Sequence, residues 1–393
     1  MKKILGITSI RSDYDLMSSL YRLLADSTDI EFKLLVSGAH LSQIYGNSVD
    51  LIKNDGFDIL LTIESLIDSD SRQSRLKTAS LFLQNAIDTV AFYQPDLILL
   101  AGDREDVIMG ALIGGFLEIP TLHFYGGDHT QDGHIDNPVR HATSKLVSAH
   151  MVSHEEHRQR LIRIGESPDR IFTIGSIALD RFVQHSPISK SELRRTLGIQ
   201  KGFKEFALLI FHPVTEEQDS CHLIFRNILN TLKRKGIHTF VSTPNTDPGN
   251  KKILHELENY HQDPMFFFFK NFDRDTFLSI FKNSRFIIGN SSAGILESAS
   301  IPIPAINIGL RQTGRKVNKN VIFCDTSENS ILFSIEKVTS ASFSASLTEM
   351  HNIYGNGDSA PKAFNIIKSL DFKRFLYKKE DPLQQSPEIF HGG

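Results

Sequence analysis

Two apolar stretches of this chain end on an acid. Asp96 to Ala101 leads into Gly102-Asp103-Arg104, and Thr121 to Tyr125 leads into Gly126-Gly127-Asp128. A polar loop follows with Asp132, Asp136, Arg140 and His141. In an open α/β sheet, ligands bind outside the carboxyl ends of the strands. Carboxylates delivered there suit general acid–base chemistry. The run Asp128-x4-Gly133-x2-Asp136-x3-Arg140-His141 also resembles a metal-ligand set. It lacks a closed-site spacing such as H-x3-H paired with C-x2-C, so no metal is expected. Histidine is common here (His40, His123, His129, His134, His141, His150), and most of these are expected to be bystanders.

A second group of residues suits phosphate chemistry. Gly289-Asn290-Ser291-Ser292-Ala293-Gly294 follows an apolar strand and opens a helix. Small residues admit a ligand to the backbone, and a helix start offers N–H groups to an anion. The same Ser and Asn also cap ordinary helices. Glu297, one turn on, could accept from a ribose diol, or serve only as a first-turn acid favoured by the dipole. Arg311, Arg315 and Lys316 can pair with phosphates or sit on a solvated loop. His212 directly follows a strand, where it can stabilise a leaving phosphate or donate a proton; a lone histidine is also commonly structural. Arg11 and Asp13 lie on the first strand-to-helix loop, with Asp13 placed as an N-cap. The run Phe266–Phe269 could stack bases, but no basic stripe flanks it and a buried strand is expected.

These residues need a scaffold of strand ends, and the chain alternates apolar strands with helices throughout. That pattern predicts α/β architecture: two Rossmann-like, doubly wound parallel-sheet domains facing a cleft. The first spans 1–184 and carries the acids; the second spans 185–364, after a linker containing Pro187 and the charged helix SKSELRRTLGI. Residues 365–393 are read as a C-terminal helix crossing back to the first domain, then a flexible tail. A long helix over about Ser74 to Tyr93 carries Leu76, Ala79, Leu83, Ala86 and Val90 at helical spacing. With 393 residues, 40 % apolar and 23 % charged, the chain can build large cores. A net charge of −3 argues against binding nucleic acid through bulk electrostatics. Cys221 and Cys324 are read as free thiols in a reducing cytosol. Lys2 and Lys3 lead straight into a strand, not a secretory segment, and no apolar run matches a bilayer span, so a cytoplasmic protein without a membrane partner is expected.

Taken together, the motifs resemble those of the sugar-nucleotide 2-epimerases, and within them the hydrolysing branch that makes precursors of sialic and related nonulosonic acids. The resemblance covers nearly the whole chain. It rests on Ser9-Ile10-Arg11-Ser12-Asp13-Tyr14, Ser37-Gly38-Ala39-His40-Leu41, Gly102-Asp103-Arg104, Gly126-Gly127-Asp128 and Asp136-x3-Arg140-His141-Ala142. It continues through Phe211-His212-Pro213-Val214-Thr215, Pro244-Asn245-x-Asp247, Gly289-Asn290-Ser291-Ser292-Ala293-Gly294-x2-Glu297 and Asn307-Ile308-Gly309-x-Arg311-Gln312-x-Gly314-Arg315. The resemblance implies a fold similar to GT-B glycosyltransferases. It implies elimination of UDP from a UDP-2-acetamido sugar, UDP-GlcNAc or a 2,4-diacetamido-6-deoxy sugar, and hydration of the glycal to a free 2-epimer. It assigns catalysis to Asp103, Asp128, Asp136 and His212. It assigns UDP or substrate binding to Arg11, His40, Arg104, Arg140, His141, Asn245, Asn290, Ser291, Ser292, Gly294, Glu297, Arg311 and Arg315. It implies no cofactor and a homo-oligomer, dimer or tetramer. The non-hydrolysing epimerases and GT-B glycosyltransferases are the alternatives. The family usually has Glu where this chain has Asp128.

Overall fold

Strands buried on both faces read as unbroken apolar runs, and the apolar strands read from the sequence lie in one of two parallel sheets. The computed structural model describes residues 1–381 except 70, 132–134, 200–201, 245–246, 248 and 271. The expected tail beyond residue 381, Asp132, His134 and Asn245 therefore lie outside the described residues. By contact the chain divides into two units. One comprises Met1–His129, Ile135–Asp180 and Gly357–Gly393, the other Thr130–His134 and Arg181–Asn356. The breaks expected after residues 184 and 364 fall instead after Asp180 and Asn356.

In the first unit, β1 (Lys2–Thr8), β2 (Ile30–Ser37), β3 (Ile59–Ile63), β4 (Leu97–Ala101), β5 (Thr121–Phe124), β6 (Ala149–Val152) and β7 (Ile171–Thr173) form one sheet. Its order is β3-β2-β1-β4-β5-β6-β7, all parallel, with Ile4 beside both Phe32 and Leu97. Helices α1 (Arg11–Ala25), α2 (Val49–Asn54), α3 (Arg72–Tyr93), α4 (Glu105–Phe116), α5 (Asp136–Leu146) and α6 (Glu155–Arg163) join the strands. Alternation along β1 and β4 divides the core. Ile4, Leu97 and Leu99 pack on one face with Tyr14, Met17 and Leu20 of α1. Leu5, Ile7, Ile98 and Leu100 pack on the other with Phe82 and Ala86 of α3 and Ala111 of α4. Leu76, at the expected spacing on α3, is nonetheless 73 % exposed.

The second unit repeats the plan. The helix α7 (Ala178–Gln184) enters it, followed by α8 (Lys190–Thr196). Strands β8 (Phe206–Ile210), β9 (His238–Ser242), β10 (Phe266–Phe269), β11 (Ile287–Gly289), β12 (Ala305–Ile308) and β13 (Val321–Cys324) form a parallel sheet in the order β10-β9-β8-β11-β12-β13. Its helices are α9 (Cys221–Arg234), α10 (Asn250–Glu258), α11 (Arg274–Asn283), α12 (Ala293–Leu296), α13 (Glu328–Val338) and α14 (Ala341–Ser346). Leu209 and Phe211 meet Phe225 and Ile228 of α9 on one face; Phe206 and Leu208 meet Leu278 and Phe281 of α11 on the other. The four phenylalanines of β10 are an edge strand that feeds both cores, not a stacking platform. The last helix, α15 (Ser359–Ser369), packs Ala360, Ala363 and Ile367 into the first unit's core. Among the described residues no helix is long and apolar enough to cross a membrane.

Candidate active site

Both sheets reverse direction between two neighbouring strands, β1 and β4 in one, β8 and β11 in the other. Such a switch point leaves a crevice at the carboxyl ends, because the two connections leave on opposite faces. The motifs sit there. Ser9 to Asp13 follow β1, Gly102-Asp103-Arg104 follow β4, His212 follows β8, and Asn290-Ser291-Ser292 follow β11.

In the first unit one side chain organises the acids. Arg140, on α5 and 3 % exposed, donates through Nη2 to the Asp103 carboxylate and through Nη1 to the Asp128 carbonyl at 2.9 Å and Asn137 Oδ1 at 3.3 Å. A guanidinium donates in a fixed fork, so it can hold two turns in register at once. Asp103 and Asp128 thus come together. Asp136 opens α5 one turn before Arg140 and lies 3.5 Å from Arg75, which also pairs with Glu105 at 2.7 Å. Asp128 is held by its surroundings: its Oδ1 accepts from the His129 N–H at 2.8 Å, and His157 Nε2 of α6 lies 3.5 Å away. The preceding turn is tight. Tyr125 has φ 65 and Gly127 φ 74, and a Cβ on Gly127 would meet the His157 carbonyl oxygen at 2.2 Å. The Gly127 carbonyl accepts from Arg160.

Other expected residues have narrower roles. His141 stacks on His129, with Nε2 3.4 Å from His129 Nδ1. Burial, with Arg140 adding, holds its pKa down at about 4. His40 is buried with both ring nitrogens occupied, by Thr8 Oγ1 at 2.9 Å and Ser48 Oγ at 2.7 Å. Burial lowers its pKa to about 4, so it is a neutral brace beside β1 that offers no ring nitrogen to a ligand. Arg11 pairs along its own helix with Asp15 at 3.4 Å. Arg104 caps α4, 4.0 Å from Glu105. Asp13 is not the N-cap: α1 starts at Arg11 after Ile10, which has no side-chain cap. Asp13 sits in the first turn, 3.4 Å from Ser9 Oγ, and burial raises its carboxyl to about 7.

The second unit supplies a polar nest. Asn290 pins His212 in place, its Oδ1 accepting from the His212 N–H at 2.8 Å and its Nδ2 donating to the His212 carbonyl at 2.7 Å. The Asn290 carbonyl accepts from Arg311 at 3.2 Å and Gln312 at 2.9 Å. Burial, reinforced by Arg311, lowers the His212 pKa to about 3. The ring is neutral at physiological pH; it can give a hydrogen bond to an anion but brings no charge. Ser291 Oγ accepts from the Ala293 N–H at 3.3 Å, while among the described residues the backbone N–H groups of Ser291 and Ser292 make no hydrogen bond. The expected helix start is modest, since α12 is four residues long. Its dipole is correspondingly small, so an anion placed there would depend on the individual N–H groups. Gly294 lies in α12 with room for a Cβ, 3.7 Å from Ala305. Glu297 is the C-cap of α12 and pairs with Arg181 of α7 at 3.3 Å. Arg315 donates to Gln312 at 2.6 Å.

Sequence reading gave no role to Gln312, Arg181, Arg75, His157 and Arg160. All act through contacts remote in sequence, and no motif marks them except Gln312, which lies between two cations already singled out. Among the described residues no cluster of three metal-ligating side chains is present.

Two sheets in Rossmann order, one with acids at its switch point and one with a small-residue nest, give this chain the two-domain fold of the GT-B kind. The UDP-GlcNAc 2-epimerase of Neisseria meningitidis, solved bound to UDP-GlcNAc, shares it with a TM-score of 0.78 at 16 % identity, covering 94 % of this chain and 100 % of that one. A family model described as UDP-N-acetylglucosamine 2-epimerase matches residues 22–368, and the chain belongs to that family. The UDP-N,N'-diacetylbacillosamine 2-epimerase (hydrolyzing) of Legionella pneumophila is 32 % identical over 96 % of this chain and 99 % of that protein. The polysialic acid biosynthesis protein P7 of Escherichia coli is 28 % identical over 99 % and 98 %. The family resemblance read from the motifs, and its hydrolysing branch, are borne out.

Proposed function

We propose that this protein is a hydrolysing UDP-sugar 2-epimerase acting on a UDP-linked 2-acetamido sugar. The observation that carries the reading is the Arg140 clamp, which gathers the Asp103 and Asp128 turns at one sheet's switch point. The C2 proton of such a sugar is not acidic on its own, so cleavage of the C1–O bond must run ahead and build oxocarbenium character. Asp103, held ionised against Arg140, stabilises that charge. Asp128 removes the C2 proton, the C2–H electrons form the C1–C2 double bond, and the C1–O pair leaves with UDP. Water then adds at C1 while Asp136, in its protonated form, gives its proton to the opposite face of C2; the proton shed by the water returns to Asp136, Asp128 releases its proton to solvent, and the free 2-epimer results. His212 donates a hydrogen bond to the departing diphosphate, Arg311 lends charge, the Ser291 and Ser292 N–H groups cradle it, and Glu297 takes the ribose. Arg11, Arg104, His141, Asn245 and Arg315 complete the binding set.

The relatives named as hydrolysing 2-epimerases of UDP- or GDP/UDP-N,N'-diacetylbacillosamine are 32 % and 31 % identical, whereas those named only UDP-N-acetylglucosamine 2-epimerase range from 29 % down to 21 %. That favours a 2,4-diacetamido-6-deoxy sugar over GlcNAc as the first substrate to try. The reading also makes the protein a cytoplasmic homo-oligomer that needs no cofactor. The test is incubation with UDP-GlcNAc and with UDP-N,N'-diacetylbacillosamine in D2O, followed by NMR. The expected products are UDP and a free 2-epimer deuterated at C2. A UDP-linked epimer without free sugar makes it a non-hydrolysing epimerase. Sugar transferred only when an acceptor is supplied makes it a glycosyltransferase.

A further inference from the structure

We infer that His157 is a positioning residue for the Asp128 carboxylate, fixing the orientation in which it faces the sugar; this rests on the reading of Asp128 as the base at C2. The helix α6 is built onto the turn that carries Asp128. The His157 backbone leaves no space for a Cβ on Gly127, where the gap to its carbonyl oxygen would be 2.2 Å. Arg160, one turn along the same helix, donates to the Gly127 carbonyl. The His157 ring is 4 % exposed, and its Nε2 lies 3.5 Å from Asp128 Oδ1. That oxygen already takes the His129 N–H at 2.8 Å, and Arg140 holds the Asp128 carbonyl from the other side at 2.9 Å.

An aspartate carboxylate has one torsion, χ2, that decides which oxygen points where, and that torsion is soft. The His129 N–H on Oδ1 and the His157 ring 3.5 Å from the same oxygen narrow that freedom. The carboxylate is then presented to the sugar in one orientation. The ring nitrogen facing the carboxylate is the one that carries the proton, because only an N–H is attractive there. A separation of 3.5 Å is long for a hydrogen bond, but such contacts in unliganded sites shorten when the substrate closes the geometry. The His157 contact favours the ionised carboxylate, the form a base must have before it reacts. Nothing in the sequence motifs marks His157, which lies 29 positions beyond Asp128 on a different element.

The test uses the full chain and steady-state UDP release. His157→Phe keeps the ring and removes the donor; His157→Gln keeps an N–H at similar reach. We expect His157→Phe to lower kcat about 30-fold with KM within about twofold, and His157→Gln to recover at least about a third of the wild-type rate. In an Asp128→Asn background His157→Phe should cost less than about twofold more, since the group it orients is gone. Should His157→Phe not fold, His157→Met carries the same comparison. The inference is overturned if the donor-free variant keeps kcat within about threefold. It is also overturned if Phe and Gln variants lose activity equally while their melting temperatures fall together, which is the signature of a packing role. Full activity in Asp128→Asn alone would instead remove the base reading itself, so the two failures are distinct.

Discussion

At the scale of the residue, the site depends on charged groups whose ionisation is set by burial and by single partners. Arg140 is the sharpest case. Lysine at that position keeps the positive charge but presents one point in place of a planar fork, so it cannot reach both Asp103 and the Asp128 carbonyl. Displacing a carboxylate by about 1 Å is enough to cost on the order of a hundredfold. Arg140→Lys is therefore expected to lose about that much in kcat for UDP release, with circular dichroism unchanged; a variant within threefold of wild type would mean the clamp is structural only. Asp13 makes a stability prediction with a definite sign. Its carboxyl is raised by burial to about 7 in the folded protein, against ~3.9 when unfolded. Between those values the folded state holds a proton the unfolded chain has released, so this group's contribution to stability falls as pH rises from about 4 to 7. Asp13→Asn removes the cost of ionising there. Its advantage over wild type in melting temperature should widen from pH 4.5 to pH 8, towards the ~4 kcal/mol that a pKa raised from ~3.9 to about 7 carries. Equal melting temperatures at both pH values would place the ionisation near its ordinary range.

The element scale explains why the scaffold was readable in the sequence and parts of the site were not. Strands such as Leu97–Ala101 are buried along their whole length, and a fully buried parallel strand leaves an unbroken apolar signature. The strand-end acids and the turn after β11 were legible for the same reason: their positions follow from where such strands stop. Helix faces were less legible. The spacing on α3 includes Leu76, which the fold leaves exposed, because periodicity shows that a face exists but not how far along the helix the sheet extends. α1 opens after Ile10 without a side-chain cap, so the capping rule misplaced Asp13 by overlooking that an uncapped start is possible. The pairing of Arg140 with Asp103, or Arg181 with Glu297, leaves no local trace, since it depends on how two loops meet after folding. The turn after β11 yields a contrast between two glycines. Gly289 has φ 129, and a Cβ there would lie 2.0 Å from the Ile210 carbonyl oxygen. Gly294 would place its Cβ in ordinary contact, 3.7 Å from Ala305 and Ile287. Gly289→Ala should lower both the melting temperature and UDP affinity. Gly294→Ala should leave both the melting temperature and UDP affinity unchanged, because the added methyl lies against the buried Ala305 and Ile287 side chains. Titration calorimetry with UDP measures this, and a roughly tenfold loss of affinity in Gly294→Ala, ~1.4 kcal/mol, would place the ligand against that face of the helix.

At the scale of the whole molecule, the first strand and the segment from Gly357 to Lys378 belong to one unit. Lys2 Nζ donates to the Ile367 and Leu370 carbonyls at 2.6 and 2.9 Å. The buried Asp180 carboxylate accepts from the Ser359 and Ala360 N–H groups at 3.1 and 2.9 Å. Phe372 and Phe375 join the first unit's core. Arg170 donates to the Phe375 carbonyl at 2.8 Å, and Lys378 pairs at 2.6 Å with Glu166, which also holds His150. Burial pushes the Lys378 amine down to about 8. Ending the chain after Leu370 would strip two core phenylalanines, each worth ~3–5 kcal/mol on removal, and leave the Glu166 carboxylate with fewer cations. That approaches the ~5–15 kcal/mol that holds a typical domain together. Among the described residues, the contacts named above all lie within the first unit, and the second unit has its own sheet and its own two core layers. Calorimetry of the truncated chain should therefore show the first unit's transition displaced to low temperature or absent, while the second unit's transition stays in place. UDP at about 100 times its Kd should still raise that surviving transition, by up to ~2.7 kcal/mol, although turnover is lost with the acids of the first unit. A single transition that falls as one would show that the second unit's stability depends on the C-terminal segment as well, and an unshifted first transition would show that α15 alone suffices to close the core.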